Sequence, residues 1–237
     1  MGDQEQKVAI VTGGSRGIGA GVVAGYRQRG WAVVASALTM EPPDDPEVVV
    51  VDGDISEPAT ADRIVRQAVE HFGRVDTLVN DAGIYISKPF ADYTAEDYRS
   101  IVGVNLTGFF LVTQRAVGEM LKRGSGHIVN ITTTLVDFAM SDEPSVLVSL
   151  TKGGIAAATR SLAIEFASRG IRVNAVSPGV IQTPMHDPAS YAAAATRHPL
   201  GRVGHVSDIV DGILFLESSP FITGETIHID GGRIAGE

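Results

Sequence analysis

The chain contains no cysteine, which excludes disulfides, thiolate metal sites and thiol nucleophiles. No metal centre is expected. No run reaches the ~18 uncharged apolar residues that a membrane-spanning helix needs. The N-terminal stretch MGDQEQKVAI lacks the basic start and apolar core of a secretory signal, so the cytoplasm is the expected location. Basic residues are scarce: 19 Lys and Arg against 28 Asp and Glu give a formal charge of -9. That is the wrong balance for a surface that grips nucleic-acid phosphates, so the expected partner is a small molecule, not nucleic acid or membrane. A last gap is local: no tyrosine occurs between Tyr98 and Tyr191.

What the chain does have is alternation. Short Val-rich runs stand at 7–12, 32–36, 48–52, 75–80, 127–132, 171–177 and 226–230. Runs that are apolar throughout suit parallel strands covered on both faces. Between them, apolar residues recur at three- and four-residue steps. Ile64, Val65, Ala68, Val69 and Phe72 follow Pro58 in this way, and the pattern returns from Leu106 to Leu121 and from Ile155 to Phe166. The alternation predicts an α/β fold, a Rossmann-like doubly wound sheet of about seven parallel strands with helices on both faces. No linker, repeat or low-complexity segment divides it. The acidic loop EPPDDPE (41–47) is too short to separate domains, so residues 1–237 read as one domain.

After the first strand comes VTGGSRGIGAG, with Gly13, Gly17 and Gly19 spaced G-x-x-x-G-x-G. Such a turn lets the backbone approach a pyrophosphate at a helix N-terminus. Its alternative is a glycine-rich turn without a ligand. Further motifs follow in order: Asn80-Asp81-Ala82-Gly83, Asn105 in VGVNLTGFF, Asn130-Ile131-Thr132-Thr133, Lys152, Pro178-Gly179-Val180-Ile181-Gln182-Thr183, and Ile229-Asp230-Gly231-Gly232. In these motifs and their order, over nearly the whole length, the chain resembles the short-chain dehydrogenase/reductase family.

The resemblance implies a nicotinamide dinucleotide held by Gly13, Ser15, Arg16, Gly17, Ile18 and Gly19, with Asp54 and Ile55 at adenine. Asn80, Ala82, Gly83, Lys152, Pro178, Gly179, Ile181 and Thr183 would complete the site. An acidic residue at the end of the second strand would favour NAD. That position is Ala37, followed by Leu38 and Thr39. With no carboxylate there and Arg16 able to reach a 2′-phosphate, NADP(H) is expected rather than NAD(H); the alternative for Arg16 is a solvated loop arginine.

The resemblance also implies Asn105, Thr133 and Lys152 as catalytic residues. Thr133 keeps the hydroxyl of the family's serine. The family's tyrosine, four residues before the lysine, is Val148 here, and the loop leading to it is two residues longer than the family spacing. Reducing a carbonyl leaves an alkoxide that some group must protonate, and valine cannot. Ser145 and Ser149 lie nearby but serine is a weak acid. Tyr85, His186, Tyr191, His198 or a bound water remain as donors.

Three readings stay open. One is an NADP(H)-dependent oxidoreductase with a non-standard proton donor, reducing ketones or oxidising alcohols, with imines and enones also within reach. The second is a catalytically silent NADP(H)-binding sensor or partner subunit, and the third a purely structural scaffold. The resemblance further implies a homodimer or homotetramer, for which Phe109, Phe110, Ile155 and Leu162 offer apolar surface.

Overall fold

The computed structural model describes residues 5–236. The start of the N-terminal stretch, residues 1–4, and the end of the RIAGE tail, residue 237, lie outside it. Seven strands form one sheet: β1 (Val8–Thr12), β2 (Ala32–Ala37), β3 (Val48–Asp52), β4 (Thr77–Asn80), β5 (Gly126–Ile131), β6 (Ile171–Pro178) and β7 (Thr226–Ile229). Their order is β3-β2-β1-β4-β5-β6-β7, and every pair is parallel. The order reverses between β1 and β4. In open α/β sheets that is where a crevice opens at the carboxyl ends of the strands.

The continuous apolar runs are explained by the helices on each face. On one side α2 (Pro58–Phe72), α4 (Phe109–Arg123) and α5 (Val146–Phe166) bury residues such as Ile64, Met120 and Phe166 against Ile10, Leu78 and Ile128. On the other, α1 (Gly17–Gln28) and α7 (Val206–Ser218) bury Val22, Tyr26, Ile209 and Leu216 against Val11, Val79 and Val129. A fully buried Ile or Leu contributes about 1.5–3 kcal/mol relative to its exposed state. Pro58 opens α2 and Gly73, in the left-handed region, closes it, as the local sequence predicts. Two short helices, α3 (Ala95–Val102) and α6 (Tyr191–Ala195), complete the set.

Helix α5 begins nine residues before the periodicity predicts, at Val146 instead of Ile155. The Gly153-Gly154 pair therefore lies inside the helix. The signal was hidden because two glycines and a Val-rich first turn weigh against helix, while burial of Leu147, Val148, Thr151 and Lys152 holds the turn in place. A second irregularity joins α3 to α4: Gly103–Gly108 forms a π-helical turn, so Ala95–Arg123 runs as one helix, long and apolar enough by length and composition to cross a membrane. Here Val112, Ala116, Val117 and Met120 of that helix pack into the core. Of the four residues proposed for subunit surfaces, Ile155 is buried within the chain and Phe110 is exposed. Phe110 lies on α4, and the exposed large apolar residues of α5 are Val146, Leu150 and Ile164.

At the amino edge of the sheet, Glu217 at the end of α7 gathers donors from three elements. Tyr26 Oη (3.1 Å), Thr77 Oγ1 (2.8 Å) and His127 Nδ1 (2.9 Å) all donate to its Oε2. Asn174 donates to the other ring nitrogen of His127 at 3.2 Å, which fixes a neutral imidazole. Burial pushes the His127 pKa down, and the hydrogen bonds hold Glu217 below its ordinary value despite burial.

Candidate active site

The glycine loop needs its glycines for two reasons. Gly13 and Gly17 have φ of 76° and 58°, the left-handed region that side chains avoid. In addition, a Cβ on Gly19 would stand 2.2 Å from the Gly13 carbonyl oxygen, and one on Gly13 would stand 3.0 Å from the Ala82 backbone. Thr12 fastens the loop to the next crossing segment: its Oγ1 accepts from the N–H groups of Asp81 and Ala82, both at 3.1 Å. Ser15 and Arg16 are exposed at the rim, while Ile18 packs inward. A cradle filled by any added Cβ, at the start of a twelve-residue helix, fits a pyrophosphate approached by backbone N–H groups.

Across the cleft stands the segment after β6. Gly179 N donates to Ile229 O at 3.1 Å, and Gln182 N to Gly204 O at 2.9 Å. A Cβ on Gly17 would lie 3.4 Å from Thr183, so loop and segment face each other at contact distance. His198 anchors this segment. Val180 N donates to its Nε2 at 3.3 Å and its Nδ1 bonds to Asp230 O, which commits both ring nitrogens. On the outer side of Gly179–Ile181 opens a cavity of about 450 Å³ lined also by Arg202, Asp208, Asp211 and His228. None of Asn105, Thr133 or Lys152 lines it, although Gly179 and Ile181 do.

Lys152 lies at the floor. It is buried, and its Nζ donates to Ile131 O at 2.7 Å. A Cβ on Gly83 would sit 3.2 Å from that nitrogen and 3.3 Å from Asn105 Oδ1, which explains glycine there. Asn105, in the π-helical turn, grips the Ile84 backbone with both ends of its amide: Ile84 N donates to Oδ1 at 2.9 Å and Nδ2 donates to Ile84 O at 3.1 Å. Nδ2 also reaches Thr151 Oγ1 at 3.2 Å. Its side chain thus braces the wall beside Lys152.

Asp81 is the residue the sequence reading passed over. Its carboxyl packs behind the glycine loop, with Oδ2 at 2.8 Å from where a Gly19 Cβ would be. Burial raises its pKa to about 7, against the pull of the Lys152 charge; burial likewise lowers Lys152, against the pull of Asp81. Asn80, by contrast, turns into the core, donating to Thr113 Oγ1 at 3.0 Å and Asn130 Oδ1 at 2.9 Å. Asp54 accepts from Ser56 N and Oγ in its own turn. The Ile55 side chain is buried beneath Gly108, so only its backbone reaches the crevice.

The hydroxyls after β5 divide by task. Thr132 Oγ1 donates to Val176 O at 3.0 Å, and Thr133 Oγ1 accepts from Leu135 N at 3.3 Å as the cap of a short 3-10 turn. Thr133 is half-buried at the strand end, whereas Thr134 is buried. Val148 fills an apolar slot one helical turn before Lys152, only 4% exposed, among Ile101, Leu135 and Leu147 with Ile84, Tyr85, Ile86 and Tyr93 packed against the group. Ser149 donates to Leu135 O at 2.9 Å.

Above this slot lies a charged cluster with no periodic signal in the sequence. Glu143, from the lengthened loop after β5, accepts from Tyr85 Oη at 2.9 Å and from Arg197 Nη1 at 2.9 Å. Arg233 Nη2 approaches it at 3.4 Å. Arg197 also pairs with Asp142 at 2.7 Å. The Arg233 side chain is 4% exposed, and its Nε has no partner among the described residues. Burial and the Glu143 carboxylate push the Tyr85 phenol up to about 12.

The chain is similar to known proteins over nearly its whole length. The family model described as enoyl-(acyl carrier protein) reductase matches residues 13–233. The 3-oxoacyl-[acyl-carrier-protein] reductase of Thermotoga maritima is 35% identical, over 97% of this chain and 98% of the relative. The BbsD subunit of the (2S)-[(R)-hydroxy(phenyl)methyl]succinyl-CoA dehydrogenase of Thauera aromatica is 33% identical, over 97% of each chain. The solved structure of ElxO with NADP bound superposes with a TM-score of 0.91 at 28% identity, over 98% of this chain and all of that one.

Proposed function

The chain belongs to the short-chain dehydrogenase/reductase family, and on that premise we propose that it is an NADP(H)-dependent carbonyl reductase whose proton donor is not the residue four before the lysine. The observation that carries the proposal is the cleft floor. Lys152, Gly83 and Asn105 meet within contact distance there, although the neighbouring slot holds Val148. A protein kept only as a scaffold has no need of a lysine at that point, since burying an ammonium is costly even with Ile131 O and the Asp81 charge to offset it.

Gly13, Ser15, Arg16, Gly17, Ile18 and Gly19 would hold the pyrophosphate end of the dinucleotide. Asp54 and the Ile55 backbone would meet adenine, Lys152 the ribose, and Ala82, Gly83, Pro178, Gly179, Ile181 and Thr183 the nicotinamide half. Asn80 contributes by fixing β4 beside β5. When bound, reduced nicotinamide supplies a hydride to a carbonyl carbon. The chain's own tasks are to orient the carbonyl through the Thr133 hydroxyl, to hold positive charge nearby at Lys152, and to deliver a proton. Arg16 is exposed in the loop whose Gly14 N donates to Ser36 O of β2 at 2.9 Å, and Leu38, just past that strand, is exposed too. That supports a 2′-phosphate, in keeping with the NADP bound to ElxO. Helices α4 and α5 support pairing into a homodimer or homotetramer through Phe110, Leu150 and Ile164.

A second reading is favoured by Val148 itself and by a relative that is named as a subunit: a silent NADP(H)-binding partner of a complete enzyme. NADPH absorbance, followed against ketones, 3-oxoacyl thioesters, imines and enones, decides between them. Turnover establishes the reductase; binding of NADPH without turnover on any substrate establishes the silent subunit. In the same assay Arg16→Ala is expected to weaken NADPH at least tenfold more than NADH, and equal losses would return Arg16 to the solvated loop.

A further inference from the structure

The slot beside Lys152 lacks a phenol from α5, yet a phenol reaches its wall from another segment. Tyr85 lies two residues beyond Gly83, which abuts the Lys152 ammonium, and one beyond Ile84, which Asn105 clamps. Its ring packs against the cluster that contains Val148. Its hydroxyl is also held differently from those of the other tyrosines near the cleft. Tyr93 donates to Ile86 O and Tyr191 to Thr183 O, so each is tied to backbone. Tyr85 donates to Glu143, a part-exposed carboxylate that two guanidinium groups pin in place. His198 is committed at both nitrogens and Ser149 points to a backbone carbonyl, which removes them as donors; burial pushes the half-buried His186, which senses the Glu143 charge, toward its neutral form, which lacks the imidazolium proton.

We propose that Tyr85 is the proton donor of the reduction, with Glu143 as the positioning residue that orients its hydroxyl. This rests on the carbonyl-reductase reading above. As the carbonyl carbon accepts hydride from reduced nicotinamide, the carbonyl oxygen takes the Tyr85 proton. The phenolic O–H bond breaks, the alcohol O–H bond forms, and the phenolate regains a proton from water. Arg197 and Arg233, on the other oxygen of Glu143, offset the charge of that carboxylate as the phenolate forms. Burial and Glu143 push the phenol up to about 12, so it carries its proton at neutral pH, the state a donor requires.

The test uses the full chain and the variants Tyr85→Phe, Glu143→Gln and Tyr85→Phe/Val148→Tyr. NADPH binding is read by its fluorescence, tyrosine ionisation by ultraviolet difference absorbance without cofactor or substrate, and turnover with the best carbonyl substrate. General-acid removal is expected to lower kcat about 10²–10⁴-fold in Tyr85→Phe while NADPH affinity holds. The double variant is expected to recover turnover. In Glu143→Gln the alkaline tyrosine titration is expected to move to lower pH, with the alkaline limb of the kcat profile moving with it. Turnover by Tyr85→Phe equal to that of the natural chain overturns the assignment while leaving the reductase reading intact. A tyrosine titration indifferent to Glu143→Gln removes Glu143. Absence of turnover by the natural chain, with NADPH bound, overturns both the reductase reading and the assignment.

Discussion

Asp81 and Lys152 act on each other's charge, and each is shifted toward its neutral form by burial more than the other's charge restores it. For Asp81 the sign is the less common one for a carboxyl. Its folded pKa lies above its ordinary value, so the folded chain binds this proton more tightly than the unfolded chain. The stabilisation is complete at low pH and is lost as pH rises toward about 7. A phosphate arriving at the adjacent loop adds negative charge and strengthens that preference. NADPH affinity is accordingly expected to fall between about pH 6 and pH 8.5 as Asp81 ionises. Asp81→Asn should flatten that fall, leaving only the part due to Lys152. Fluorescence titrations at the two pH values measure it; an unchanged slope in the variant would show that Lys152 alone governs the dependence.

Among the elements, α5 carries the most chemistry and was the hardest to read. Its end was visible from Ile155 onward, but its first nine residues were not, because Gly153 and Gly154 interrupt the pattern. Neither glycine is required by crowding: a Cβ would lie 3.8 Å from Val136 at Gly153 and 3.6 Å from Leu106 at Gly154. These are ordinary contacts. Gly154→Ala is therefore expected to stabilise the chain by up to about 1 kcal/mol, the helical cost of glycine, seen as a higher midpoint in urea. A lower midpoint would mean that Leu106 cannot accommodate the methyl. Strand positions were legible throughout, since buried parallel strands are apolar along their whole length. The glycine loop, Asn105 and Lys152 were legible as motifs. The Tyr85, Glu143, Arg197 and Arg233 cluster was not, because its members come from four loops and meet only through the tertiary fold. Asp81 was visible as a residue, but its shift depends on burial that no spacing encodes.

For the whole molecule, the alternation of strands and helices specified the sheet, whereas surfaces could not be separated from core by pattern alone. Ile155 and Ile164 read alike in a helical repeat, yet the first is 3% and the second 80% exposed. Large apolar side chains left this open mark contact surfaces when they cluster. Light scattering is expected to give a dimer or tetramer, and Ile164→Glu to shift it toward smaller species. A natural chain that is monomeric at high concentration would remove the pairing proposal. The carboxylate of Glu217 bears on a different matter, the order in which the chain can fold. Tyr26, Thr77 and His127 come from the first 127 residues, but their shared acceptor arrives with α7, ninety residues later. A nascent chain lacking α7 would bury three donors with no acceptor, or keep that edge of the sheet open to water. The amino edge of the sheet is therefore satisfied only once the last helix has been made, which ties the two halves of the chain together.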